Sequence, residues 1–384
     1  MEIRNLKKVA ERIKRAIKNK EKIILYGDAD LDGVSSVIIL KESIKNLGGL
    51  STKVYFPDRE SEGYGLNQKA LNLFKKEAPA LLILLDCGIS NFKEIKLAKK
   101  LGLKVIVIDH HEVLGKLPDA EIIVDPKQPK DRYPFKNLAN TGLVFKLSQA
   151  LFGKKFSQQL KESFLELTAL ATIADMMPQT DDNKVFIEEG LNSLKKTFRP
   201  GLKVFQEIDD DLKYRSIKEI SQRIISALNS SEREKHLNKT YLLLTSGDKK
   251  TAKALAEDLL EKSRQKKIRI KDITEQAEKM ALKKTSEPII FEGDESWQLI
   301  LLGAVASRIC QKFKKPTFLF KRQKKESKGA VRTPSNVNGV EAMKNCSKSL
   351  KGFGGHPLAG GFTVENKNLE EYKNCLVKYF RERH

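Results

Sequence analysis

Three short apolar runs, each ending on an acid or an imidazole, constrain this chain more than any other feature. Residues 22–26 run into Asp28, Asp30 and Asp32, residues 81–85 into Asp86, and residues 104–108 into Asp109, His110 and His111. The runs show no in–out alternation, so the strands they form are expected to be covered on both faces, as in a parallel sheet flanked by helices. Helical spacing fills the gaps between them, at 34–47, 67–76 and 91–101. Further strands are expected at 53–56 and 121–124, and an amphipathic basic helix within 1–20. In a sheet of this kind ligands gather at the carboxyl ends of the strands, so the acids are expected along one edge. A further acid, Asp175, ends a helical run over 158–174.

The rest of the chain follows two changes of pattern. Helices are expected at 140–151 and 185–196, and after Arg199-Pro200-Gly201 the sequence becomes helical and richly charged. Residues 250–283 contain neither Gly nor Pro, which fits one long connecting helix. Strands return beyond Ser286-Glu287-Pro288, at 298–302, 317–320, 329–331 and 362–364. The expected organisation is an α/β domain over 1–200, a helical linker region over 201–285 and a smaller α/β domain over 286–384.

At 384 residues there is enough chain for two domains, each with a sizeable core. No run of 18 apolar residues and no signal-type start are present, so a cytoplasmic protein is expected. The 72 Lys and Arg outnumber the 50 Asp and Glu, a net charge of +22 that favours polyanionic partners. A generally Lys-rich proteome is the competing reading. Cys87, Cys310, Cys346 and Cys375 are scattered without a C-x-x-C pair, so free buried thiols are expected rather than a zinc site or a disulfide framework.

Acids and imidazoles at strand ends point to metal chemistry. Hard oxygen ligands suit Mg²⁺ or Mn²⁺, and imidazole shifts the preference toward Mn²⁺. Two such ions can activate a shared water and neutralise charge on phosphoryl oxygens. Asp28 to Gly33 taken alone could open a calcium loop, but the Glu needed at its twelfth position falls on Ile39. Asp86 alone could merely cap a helix. Adjacent histidines at a strand end are seldom core packing.

The motifs Gly27-Asp28-Ala29-Asp30-Leu31-Asp32-Gly33, Asp86-Cys87-Gly88, Asp109-His110-His111 and Ala174-Asp175-Met176-Met177-Pro178 resemble those of the DHH phosphoesterase superfamily, and within it the RecJ-like exonucleases. The resemblance implies that 1–200 is a DHH catalytic domain in which Asp28, Asp30, Asp32, Asp86, His110 and Asp175 ligate two divalent ions. Mn²⁺ would be preferred, with Mg²⁺ as the alternative and Asp86 as the bridge. Some branches carry His where Asp28 stands. His111 would contact the scissile phosphate, and Asp109 would orient the histidines.

The segment 220–233 is similar to a RecJ segment whose arginine, here Arg233, touches phosphate. The last domain resembles the DHHA1 module through Gly303-Ala304-Val305-Ala306-Ser307-Arg308, Gly329-Ala330-Val331-Arg332 and the glycine-rich run from Gly352 to Phe362. Arg308, Arg332, Gly354, Gly355 and His356 would then bind nucleic acid. Read without the family, paired glycines can form an anion nest, though such turns are usually only turns. Without the family, surface salt bridges are the commoner use of arginines such as Arg308 and Arg332. The lysines within 312–328 fit a solvated hairpin that adds to an electrostatic funnel, and Trp297 fits core packing better than base stacking.

The expected function is metal-dependent exonuclease action on single-stranded DNA or RNA in replication or repair. Phosphodiesterase action on short oligonucleotides or cyclic dinucleotides, in the manner of a nanoRNase, and a replisome scaffold role are the alternatives. The resemblance offers GINS or a helicase-nuclease repair protein as partners. It favours the compact archaeal type, without the oligonucleotide-binding barrel that bacterial enzymes add.

Overall fold

The computed structural model describes residues 2–50, 52–59, 61–113, 115–208, 216–231 and 233–382; for Arg233, Glu234 and His356 it describes the backbone alone. The chain divides into two compact units, 1–263 and 264–384.

The first unit contains α1 (Leu6–Lys18), β1 (Ile23–Gly27), α2 (Leu31–Asn46), β2 (Thr52–Tyr55), α3 (Gln68–Phe74), β3 (Ala80–Leu85), α4 (Phe92–Lys100), β4 (Leu103–Ile108) and β5 (Ile122–Val124). Five helices follow, α5 (Asn140–Phe152), α6 (Gln158–Ala174), α7 (Asp181–Leu194), α8 (Pro200–Ile208) and α9 (Ile217–Leu228). A small hairpin of β6 (Arg233–Glu234) and β7 (Leu237–Asn238) leads to α10 (Lys239–Leu244).

Strands β1 to β5 form one sheet, parallel throughout, in the order β2-β1-β3-β4-β5. Successive strand residues point to opposite faces, so Leu81, Ile83 and Leu85 enter one core while Leu82 and Leu84 enter the other. That explains the unbroken apolar runs. The chain order reverses between β1 and β3, the position where a doubly wound sheet opens a crevice beyond its strand ends. Residues of the 201–263 segment, including Leu202, Phe205, Ile224, Leu243 and Leu259, join the core on the α1 and α2 side of the sheet.

The boundary between the units falls inside α11 (Lys249–Leu282), a single helix of 34 residues. The second unit holds β8 (Ile290–Asp294), α12 (Leu299–Phe313), β9 (Thr317–Arg322), β10 (Glu326–Arg332), α13 (Gly339–Asn345), β11 (Gly352–His356), β12 (Ala359–Glu365) and α14 (Leu369–Arg381). Its sheet runs β11-β12-β10-β9-β8, with only β8 and β9 parallel. Phe318 and Phe320 face a core with α13 and α14, and Leu319 faces α12. Trp297 is buried there and donates to Gln276 at 2.9 Å.

Two sequence expectations need correction. Residues 298–302 are not a strand but lead into α12, because Leu301, Leu302, Val305, Ala306 and Ile309 continue the apolar pattern at helical spacing onto one buried face. The cysteines are not all free. Cys346, just past α13, and Cys375, on α14, form a disulfide with Cα atoms 5.9 Å apart, while Cys87 and Cys310 remain free and buried. The partners are 29 residues apart, so only the packing of the two helices brings them together.

Candidate metal centre and nucleic-acid interface

The acid-rich loop after β1 is held in shape by its own backbone. Asp30 caps α2, its carboxylate accepting from the N–H groups of Asp32 and Gly33 at 3.1 and 3.0 Å. A Cβ at Gly33 would stand 2.4 Å from the Asp28 carbonyl oxygen, so only glycine lets the loop fold back this tightly. Asp32, in the first turn of α2, accepts from the N–H groups of Asn140 and Thr141 at 2.7 and 2.8 Å and from the Thr141 hydroxyl. The start of α5 thus fixes its direction.

The ends of β3 and β4 supply the rest. Asp86 follows β3 with a left-handed backbone, φ 62°, and its N–H donates to the Ile108 carbonyl at 3.0 Å. Asp109 is buried and accepts from the N–H groups of Ile89, His110 and His111 and from Nδ1 of His111, at 2.8 to 3.2 Å. His110 uses Nδ1 toward the Leu138 carbonyl at 3.0 Å. Its Nε2 therefore faces carboxylates, with Asp86 at 3.2 Å, Asp175 at 3.6 Å and Asp32 at 3.9 Å. Asp175 terminates α6, and the next residue, Met176, has φ 54°, which turns the chain sharply out of the helix.

Burial, then repulsion from Asp30 and Asp32, pushes the Asp86 carboxyl well above the usual range, and burial first among several causes lifts Asp175 to about 8 and Asp32 to about 6. Burial drives the His110 imidazolium down to about 3, leaving its Nε2 lone pair available. Burial would lower His111 as well, but the hydrogen bond and charge of Asp109 outweigh it and raise it to about 9.

Three sets have ligand atoms within 4.8 Å of one another: Asp28 with Asp30 and Asp86, Asp86 with His110 and His111, and Asp32 with His110 and Asp175. Asp86 Oδ1 and Asp175 Oδ2 are buried without a hydrogen-bond partner. Unpaired buried carboxylate oxygens beside an imidazole lone pair are the donor set that a hard or borderline divalent cation requires, so these residues fit Mn²⁺ or Mg²⁺.

Several side chains at the site carry no signal in a single sequence. Arg59, on the loop after β2, holds Asp28 through two bonds and Asp30 through one of 2.9 Å. Tyr64 lies 3.2 Å from Nδ1 of His111 and donates to the Asp86 carbonyl. Asn140, Thr141 and the Leu138 carbonyl approach from a segment about thirty residues beyond the nearest motif, and no local spacing announces them.

Of the residues expected to bind nucleic acid, Arg233 lies in the first unit and the others in the second, where Arg332 and His356 both pair with Ala359 across the sheet. Arg233 opens the small hairpin of the first unit, and its side chain, like that of His356, lies outside the described residues. In the second unit Arg308 is exposed on α12. Arg332, at the end of β10, donates to Ser307 Oγ at 3.1 Å and to the Val331 carbonyl at 2.8 Å. A Cβ at Gly303 would press on its guanidinium at 2.9 Å. Among the described residues no carboxylate pairs with Arg332. Gly355 has φ 130°, and a Cβ there would strike the Ala359 carbonyl at 2.4 Å, so strand packing alone requires it. Gly354 faces open space.

An all-parallel sheet with acids at its switch point, followed by a mixed-sheet unit, defines a class found among known proteins. Residues 22–172 match the DHH family, N-terminal domain, and residues 286–382 match the DHHA1 domain. The two matches together describe the group of proteins that join a DHH domain to a DHHA1 domain.

Within that group it is similar to RecJ. It is 34% identical over 379 residues to the single-stranded-DNA-specific exonuclease RecJ of Bacillus subtilis, an alignment covering 98% of this chain and 48% of that protein. Against the Thermus thermophilus RecJ the identity is 28% over 382 residues, covering 98% and 54%. The chain thus spans about half the length of these relatives. A crystal structure of exonuclease RecJ bound to manganese superposes with a TM-score of 0.82 at 26% identity, covering 99% of this chain and 95% of that one. No helix among the described residues is long and apolar enough to cross a membrane.

Proposed function

We propose that this chain is a RecJ-like exonuclease that hydrolyses phosphodiester bonds of single-stranded DNA or RNA with two divalent metal ions, Mn²⁺ preferred, in DNA replication or repair. The observation that carries this reading is the convergence of Asp28, Asp30, Asp32, Asp86, Asp175 and Nε2 of His110 from three strand ends and one helix end, with two buried carboxylate oxygens unpaired. The manganese bound by the RecJ crystal structure supports it. These six residues would hold the ions, Asp86 lying between the Asp28–Asp30 group and His110. Bound there, the ions supply activation of a water molecule and neutralisation of charge on the phosphoryl oxygens.

The chain's own groups do the positioning. Leu138 fixes the His110 ring so that Nε2 stays directed at the acids. Asp109 orients His111 through Nδ1, so that the opposite ring nitrogen would meet the scissile phosphate as charge develops on it. Arg308, Arg332 and the backbone of Gly354, Gly355 and His356 would hold substrate phosphates in the second unit, and Arg233 would do so in the first. We place the enzyme in the cytoplasm, with a GINS-like or helicase-nuclease partner that copurification from cell extract would reveal. The direct test digests single-stranded DNA and RNA, labelled at either end, in the presence of Mn²⁺. The expected result is stepwise shortening from one end that vanishes with chelator and in Asp86→Ala; full activity in that variant would overturn the assignment.

A further inference from the structure

The hairpin that carries Arg233 is joined to the acid-rich loop by a buried side chain to which neither the motifs nor the family match gives a role. Asn238, in β7, is 3% exposed. Its Nδ2 donates to the carbonyl of Ala29, between Asp28 and Asp30, at 2.8 Å. Its Oδ1 accepts from the Thr240 N–H at 2.8 Å, capping α10, and from the Ser231 hydroxyl at 2.6 Å, just before the hairpin. A second tie runs beside it, from the Phe56 N–H to the His236 carbonyl at 3.1 Å. Phe56 lies three residues before Arg59, whose guanidinium grips Asp28 and Asp30. The hairpin is thus tied to both segments that shape the Asp28–Asp30 half of the site.

We infer that Asn238 is a positioning residue that fixes the Asp28–Asp30 loop for metal and makes that loop and the hairpin a single mechanical piece. The capping bond alone would be satisfied by Ser or Thr, which also cap helices. The bond to Ala29 needs the longer side chain and a donor directed away from the cap. Losing it frees a buried carbonyl and lets the loop carrying two candidate ligands relax, and removing an outer support of this kind typically weakens metal affinity about 10–100-fold. Because the tie acts in both directions, nucleic acid seated on the hairpin and metal held by the loop strengthen each other by the same factor.

The inference rests on the metal reading above, and the test separates the two. Mn²⁺ binding to the full chain would be titrated by electron paramagnetic resonance, with and without a single-stranded phosphorothioate DNA oligomer that resists cleavage. Asn238→Ser keeps the cap and loses the Ala29 bond, and Asn238→Thr serves as an independent second variant. The expected result is a melting temperature near that of the parent, Mn²⁺ affinity reduced about tenfold, and loss of the tightening that the oligomer produces in the parent. Parent-like Mn²⁺ affinity in both variants, or oligomer tightening that persists in them, overturns the inference. If the parent itself binds no Mn²⁺, the metal reading falls and the inference falls with it.

Discussion

The two units are unbalanced in opposite senses. At the strand ends of the first, buried carboxylates outnumber the cations that reach them, and Asp86 and Asp175 each keep an oxygen without a hydrogen-bond partner. In the second, the part-buried Arg332 guanidinium has a hydroxyl and a carbonyl for company and no described carboxylate. Burial lowers its pKa, the reverse of what a partnered arginine shows. One region is built as though a cation were to arrive, the other as though an anion were. In a basic chain it is the local imbalance, not the net charge, that tells the two sites apart.

The contrast between the units depends most on Asp86. Asp86→Ala should lower nuclease turnover on the order of a thousandfold or more, measured at saturating Mn²⁺. An acid with its own partner provides the contrast within the first unit. Glu166 is buried and accepts from the Thr197 hydroxyl at 2.7 Å, and burial raises its carboxyl from the ordinary 4.5 to about 7. Because the folded value lies above the unfolded one, its stabilising contribution is complete below pH 4.5 and is lost as pH rises through about 7. Glu166→Gln should therefore flatten the pH dependence of denaturant stability over that interval, by up to about 3 kcal/mol, while leaving Mn²⁺ binding intact.

In the second unit, Arg332→Ala should raise KM for single-stranded DNA by about tenfold or more with little change in kcat, and Arg332→Lys should recover only part of the loss because the fork is gone. The smallest expected effect concerns stability alone. Without metal, Asp86→Asn should be more stable than the parent by about 1–2 kcal/mol, since a neutral amide removes the repulsion among buried acids. Adding Mn²⁺ should raise the melting temperature of the parent and not of the variant.

What the sequence made legible was whatever chain order alone controls. The strand ends could be read because apolar runs without alternation imply a covered parallel sheet, and such a sheet delivers the following residue to one edge. Asp86 and Asp109 are at that edge for this reason. Residues that reach the site through tertiary packing left no trace, as Arg59, Thr141 and Asn238 show. Each is an ordinary loop, first-turn or capping residue until the fold sets it against a carboxylate or a carbonyl. The apolar residues 299–302 misled because four of them in a row suit a buried strand and a helix equally, and only the spacing out to Ile309 separates the two.

The bond between Cys346 and Cys375 gives the second unit a different kind of connectivity. It closes the backbone into a ring that contains β11 and β12, and with them Gly354 and Gly355. A protease cut anywhere inside that ring severs the chain without releasing a fragment, so the nicked protein migrates at full mass on a gel until a thiol is added. The glycine-rich strand is thereby anchored at both ends by covalent linkage, and a single backbone break cannot detach it.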